Sequence, residues 1–143
     1  MKIVVDRQIT VALENQPGQL ATVCTLLLKN DINIGAISVI DSIEQGVIRL
    51  IVSDPAKCKA VLQDQGFYVI EGDVLVVDLT DRRGKLAEIA GELASAKINI
   101  DYVYGSVDRP GAPIRLILKT SDIVRARPIL EQLENAPATD TTQ

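Results

Sequence analysis

Gly18-Gln19-Leu20-Ala21 reappears 66 residues later as Gly84-Lys85-Leu86-Ala87. The same offset carries Ile32-Asn33-Ile34 onto Ile98-Asn99-Ile100, and Arg49-Leu50-Ile51-Val52 onto Arg115-Leu116-Ile117-Leu118. Three matches at one spacing mark an internal duplication, the sign of a repeated structural unit. In a chain of 143 residues each copy is a very small domain. Such a domain buries too little surface to be secure alone, which favours association of modules within or between chains.

Outward from these anchors the copies read alike. Ile9, Val11 and Leu13 alternate with polar or small residues, as in a half-buried strand. Asn15-Gln16-Pro17-Gly18 then supplies turn chemistry. Leu20, Val23, Cys24 and Leu27 follow at helical spacing and give one apolar face. Residues 32–40 are extended and rich in β-branched side chains, residues 42–46 read as a hairpin turn, and residues 47–52 as a third strand. Asp54-Pro55 opens a second helix with a capping side chain and a proline at the first position. Gly66 closes that helix, and residues 67–70 give a fourth strand. In the second copy the strands fall at 74–79, 99–107 and 114–120, with a turn at 108–111. Its helices run over 85–96 and from Ser121-Asp122 to Leu133, with Pro128 expected to kink or interrupt the latter.

The order βαββαβ, taken twice, predicts an α+β protein of two ferredoxin-like modules, each an antiparallel sheet with its helices on one face, packed side by side. The expected division is residues 1–71 and 72–134, with a flexible tail over 135–143. No fourth strand is visible after Leu133. Either the tail lacks structure or residues 2–5, at the other end of the chain, fill that edge.

Composition narrows the function. A net charge of −4 and only four aromatic residues (Tyr 3, Phe 1) offer neither a basic surface for phosphates nor a stacking platform for bases, so nucleic acid is set aside. No apolar run is long enough for a membrane span. The first residues lack the long apolar core of a signal peptide, and a cytoplasmic location is expected. Cys24 and Cys58 have no metal-ligand spacing and fit as small buried hydrophobes, so neither metal nor cofactor is expected. The chain has no histidine, and its carboxylates at turns and strand ends are not paired, so no enzymatic activity is expected.

One feature offers binding chemistry. Pro17 and Gly18 place a tight turn directly before a helix, leaving the first backbone N–H groups, near Gly18, Gln19 and Leu20, without intrahelical partners. Those donors and the helix dipole favour a carboxylate or phosphate. Asn15 and Asn33 add amides able to donate or accept. An α-amino acid needs both kinds of partner. The competing reading is local: Asn15 as a turn residue, Gly18 for its positive φ, Asn33 as a polar strand start. The absence of Arg or Lys near this loop suggests a neutral aliphatic ligand side chain.

The run Leu13-Glu14-Asn15-Gln16-Pro17-Gly18-Gln19-Leu20-Ala21, with Asn30-Asp31-Ile32-Asn33-Ile34, resembles the signature of ACT domains. Leu79-Thr80-Asp81-Arg82-Arg83-Gly84-Lys85-Leu86-Ala87, with Lys97-Ile98-Asn99-Ile100, resembles it too. The resemblance implies modules that pair through sheet edges, hold amino acids where one module meets another, and regulate amino-acid metabolism. By analogy with serine-binding ACT domains it assigns ligand contacts to Asn15, Gly18 and Asn33, with Gln19, Leu20 and Ile34 beside them. Asp81, Gly84, Leu86 and Asn99 are the corresponding candidates in the second copy. There Asp81 replaces Asn15, Arg83 replaces Pro17, and Tyr102 and Tyr104 replace Ala36 and Ser38, so the copies are not expected to be equivalent. A homodimer and an amino-acid biosynthetic enzyme are the expected protein partners. The rival expectation is an interaction module that pairs with itself or with an enzyme subunit and binds no ligand.

Overall fold

The computed structural model describes residues 1–14, 16–41, 46–80, 84–106 and 113–135. Its elements are β1 (Lys2–Leu13), α1 (Gln19–Lys29), β2 (Ile34–Asp41), β3 (Gly46–Val52), α2 (Pro55–Asp64), β4 (Tyr68–Thr80), α3 (Lys85–Ser95), β5 (Ile100–Ser106), β6 (Pro113–Thr120) and α4 (Ile123–Asn135). The architecture is α+β, two ferredoxin-like modules. Of the hairpin turn expected over 42–46 and the tail expected over 135–143, Gly46 opens β3 and Asn135 ends α4; the rest of both, and the turn expected over 108–111, lie outside the described residues. Among the described residues, no helix is long and apolar enough to cross a membrane.

Two differences from the sequence reading matter. The short strand at 9–13 is the end of a 12-residue strand, and the strands at 67–70 and 74–79 are one continuous strand of 13 residues. Chain contacts accordingly divide the molecule into a first module, Asp6–Asp73, and a second made of Met1–Val5 with the chain from Val74 onward. Of the two alternatives for the second module's vacant edge, residues 2–5 are the ones that belong to it. Helix α4 also runs through Pro128 without being divided.

In the first module the strand order is β2-β3-β1-β4. Antiparallel pairing sets Ile9 opposite Leu50 and Val11 opposite Ile48. Those side chains, with Leu13 and Val52, pack against Val23 and Leu27 of α1 and Cys58 and Leu62 of α2. Sheet alternation with period two meets helical spacing on one face, which is why one hydrophobic core forms here. The second module repeats the design in the order β1-β4-β6-β5. Leu75, Val77 and Leu79 join Leu118, Ile89, Leu93, Ala126 and Leu130, and Ile3 of β1 is buried among them.

Where the core-side alternation of β1 passes from Val5 to Ile9 it meets Arg7, and in β4 between Val69 and Leu75 it meets Glu71 and Asp73. These charges pair with each other within the first module. Arg7 Nε lies 3.3 Å from Glu71 Oε2 and Arg7 Nη1 2.9 Å from Asp73 Oδ1, while Lys59 of α2 reaches Glu71 Oε1 at 3.2 Å. Charge therefore interrupts the apolar stripe without ending the strand, since each group keeps a partner and partial access to water. Hydrogen bonds from Arg7 and then Lys59 hold the Glu71 carboxyl below the ordinary value of 4.5. A depressed folded value adds stability that is present above the ordinary carboxylate range and is lost as pH falls through the folded value.

Two outcomes follow. Ile3→Ala is expected to cost about 2–4 kcal/mol, with hydrogen-exchange protection falling in β5 and β6; a loss centred on β2 and β3 would contradict the assignment of residues 2–5 to the second module. Glu71→Gln is expected to lower stability to urea at neutral pH, with the gap to the parent closing as pH drops below the ordinary carboxylate range. A gap independent of pH would remove the ion pairs from the account.

Candidate functional site

Each module begins its first helix in the same unusual way. The residue before α1 is Gly18 at φ 90° and ψ −7°, and the residue before α3 is Gly84 at φ 86° and ψ 0°; neither helix has a side-chain cap. Such backbone angles strain any residue bearing a Cβ. At both positions an added Cβ would meet nothing within 4 Å, so conformation rather than space demands glycine. The Gly18 carbonyl accepts from the Thr22 N–H and from Thr22 Oγ1, both at 2.9 Å, and the Gln19 N–H donates to the Gln16 carbonyl at 3.4 Å. The amides of Leu20 and Ala21 have no acceptor among the described residues. In α3 the Gly84 carbonyl accepts from the Glu88 N–H at 3.0 Å. Leu20 and Leu86, at the second helical position, are 41% and 45% exposed. The first module thus presents amide donors beside an exposed leucine, and Leu86 is exposed at the matching position of the second.

The other end of each first helix is built as consistently. Asp31 and Lys97 take left-handed angles, φ 56° and 59°. The Ile32 N–H then reaches back to the Leu27 carbonyl and the Ile98 N–H to the Leu93 carbonyl, both at 2.9 Å. This is the Schellman closure, sealed by a buried isoleucine in each copy. Lys57 Nζ donates to the Asn30 carbonyl at 2.6 Å, and Arg125 Nη2 to the Ala96 carbonyl at 2.7 Å. Cations thereby meet the negative ends of α1 and α3.

Asn33 and Asn99 follow directly. The backbone of Asn33 makes a reciprocal pair with Ser53, its N–H donating to Ser53 Oγ and its carbonyl accepting from the Ser53 N–H, each at 3.0 Å. Asn99 does the same with Ser121, at 3.0 Å and 2.9 Å. The side chains differ. Asn99 Nδ2 donates to Asp101 Oδ1 at 2.9 Å, whereas Gly35 stands at the matching place of the first module, and the exposed Asn33 amide has no partner among the described residues.

Within one module these groups are not brought together. Gly18, Gln19 and Leu20 sit at one end of α1 and Asn33 and Ile34 beyond the other. A helix of 11 residues separates them by about 16 Å at 1.5 Å per residue. A single small ligand touching both sets needs the glycine turn of one module and the strand start of another. Asn15 and Asp81 lie outside the described residues.

Gln19 has other neighbours that sequence reasoning did not select. It lines a cleft of about 390 Å³ with the end of β1 (Ala12, Leu13, Glu14) and the α2–β4 connection (Gln65, Gly66, Phe67, Tyr68). The signal was there: Phe67 and Tyr68 are two of only four aromatic residues in the chain. Tyr102 and Tyr104, the other two rings, pack with centroids 6.4 Å apart. In register they face Lys119 and Ile117, on the side of β6 away from Leu118 and the helices.

No grouping of three or more His, Cys, Asp or Glu suited to a metal ion occurs among the described residues. Burial pushes the Cys58 thiol up to about 11, so it packs as a hydrophobe. Cys24 is only partly buried.

The glycine turn gives a direct test. Gly18→Ala is expected to lower stability by about 1–2 kcal/mol through backbone strain, and Gly18→Asn by less, since Asn tolerates left-handed angles. Thermal melts of both variants check the order; equal stability of all three proteins would mean the turn relaxes freely.

The sequence profile of the ACT domain pair matches residues 3–137. Among curated protein sequences none matches the chain. Among solved structures, protein BT0572 from Bacteroides thetaiotaomicron is 28% identical with a TM-score of 0.85, over 92% of this chain and 90% of that one. The regulatory subunit of aspartate kinase from Thermus thermophilus, in its ligand-free form, is 18% identical with a TM-score of 0.70, over 94% and 95% of the two chains. The corresponding subunit from Thermus flavus is 18% identical with a TM-score of 0.62, over 93% and 97%.

Proposed function

The chain belongs to the ACT domain pair family, and from that premise we propose that it is a non-catalytic regulatory protein of the cytoplasm that binds an amino acid where ACT modules meet. The observation that carries this reading is the uncapped glycine turn at the head of both α1 and α3. Amide donors at the positive end of a helix suit the ligand carboxylate. The Asn33 side chain, brought by a second module, supplies an acceptor for the ammonium. Asn15, Gln19, Leu20 and Ile34 complete the first site. Asp81, Gly84, Leu86 and Asn99 form its counterpart, where the Asp101 carboxylate already engages the Asn99 amide. The first module's residues are therefore the better site.

Such a protein acts by preferring one packing of its modules when the ligand is bound, and a partner enzyme reads that preference. The regulatory subunits of aspartate kinase share this fold, which supports a regulator acting on an amino-acid biosynthetic enzyme. A homodimer is the simplest way to bring glycine turns and strand starts of different modules together. The competing reading is an interaction module without a ligand. It is favoured by β2, at the end of the first module's strand order, where Ile37, Val39 and Ile40 are 42%, 54% and 42% exposed. An apolar strand edge of this kind invites pairing with another chain.

A thermal-shift screen against the twenty amino acids separates the readings. A ligand at one hundred times its dissociation constant adds roughly 2.7 kcal/mol and raises the melting temperature. A selective shift that Asn33→Ala weakens by roughly tenfold or more, and Asn99→Ala leaves nearly unchanged, supports the sensor with an active first module. No shift with any amino acid, alongside co-purification of a partner, supports the interaction module.

A further inference from the structure

We propose that the cleft between the end of β1 and the α2–β4 connection binds a small organic cation, an alkylammonium group held by the Glu14 carboxylate against the rings of Phe67 and Tyr68. This site lies entirely within the first module, so it needs no apposed module and does not depend on the amino-acid reading. Its size is the first argument. A volume of about 390 Å³ falls in the range of small-molecule sites, roughly 300–1,000 Å³.

The lining selects the charge. Glu14 is the one ionisable carboxylate among the lining residues, and no Lys or Arg accompanies it. An anion would face an uncompensated like charge there, whereas a cation finds a partner. Gln19 and Gln65 add side-chain carbonyls that accept from an ammonium. The rings supply the rest. Phe67 packs partly on the module's core, which holds it in place, and Tyr68 is 69% exposed. A cation over an aromatic face gains a further attraction that a neutral ligand does not. Gly66, at φ 88°, carries no side chain into this space, and a Cβ there would meet nothing within 4 Å. The chain turns left-handed at that point, so its two aromatic residues follow the open position directly.

The test uses three probes of one length and different charge: n-butylammonium chloride, n-butanol and sodium butyrate. Each is titrated into the whole protein at fixed ionic strength while backbone amide shifts are followed by NMR. The expected result is a saturable shift of the Gln19, Gly66, Phe67 and Tyr68 amides with n-butylammonium, a weaker one with n-butanol and none with butyrate. Glu14→Gln and Tyr68→Ala, both changes of exposed side chains, are each expected to weaken n-butylammonium by roughly fivefold or more, with the rest of the spectrum intact. The proposal is overturned if n-butylammonium gives no saturable shift at the cleft. It is equally overturned if n-butanol binds as well as the cation, or if both variants retain the parent affinity.

Discussion

Everything in this protein hangs on an alternation that two strands must keep up for far longer than one small domain requires. In β1 the side chains of Ile3 and Val5 serve the second module's core, and those of Ile9, Val11 and Leu13 serve the first. In β4 Val69 serves the first, and Leu75, Val77 and Leu79 the second. Because side chains alternate with a period of two, a one-residue slip anywhere along either strand would turn every following apolar residue away from its core. Arg7, Glu71 and Asp73 keep that parity while changing its chemistry. They hold the strand extended through mutual pairing and mark where one core stops.

The helix geometry follows from that frame. A fixed strand end at Leu13 and a left-handed glycine at position 18 aim α1 back over its own sheet, and Leu79 and Gly84 repeat the device for α3. At the far ends, left-handed Asp31 and Lys97, the cations of the second helices and the Asn–Ser backbone pairs return the chain to the edge strands. Such detailed agreement between copies shows how much of the loop sequence is architectural. What is left over is correspondingly informative. The Asn33 amide, the exposed leucines at the helix heads and the Tyr68 ring beside Gly66 perform no packing task that the fold requires.

Most of the fold was legible because duplication let each copy check the other. Gly18 and Gly84, Ile32 and Ile98, and the arginine-led strands align at one offset, so a weak signal in one copy was confirmed in the second. The strand lengths were not legible. Glu71-Gly72-Asp73 carries turn-like composition, and sequence alone does not reveal that Arg7 and Lys59, distant in the chain, pair with its carboxylates within one continuous strand. Helix α4 continues through Pro128, flanked by Ala126 and Leu130, which are buried in the core. Of the site, the glycine turn and its exposed neighbours could be read from local chemistry. That Asn33 lies beyond the far end of the helix that Gly18 opens could be read as well, since the apolar spacing of the intervening residues is helical. The cleft was missed because its walls come from two segments, residues 12–19 and 65–68, that lie far apart in the chain.

The shared first strand also has a bearing on how the molecule is made. Residues 2–5 are synthesised before Asp6–Asp73, yet the module they complete resumes only at Val74, after the intervening module has been made. The first module needs only Asp6–Asp73 and can close while the chain is still growing. Until the rest arrives, Ile3 and Val5 wait as a short apolar strand with no core of their own. Vectorial synthesis therefore imposes an order, the first module and then the second, and leaves the nascent chain with an unpaired apolar segment for a chaperone or a neighbouring nascent chain to capture.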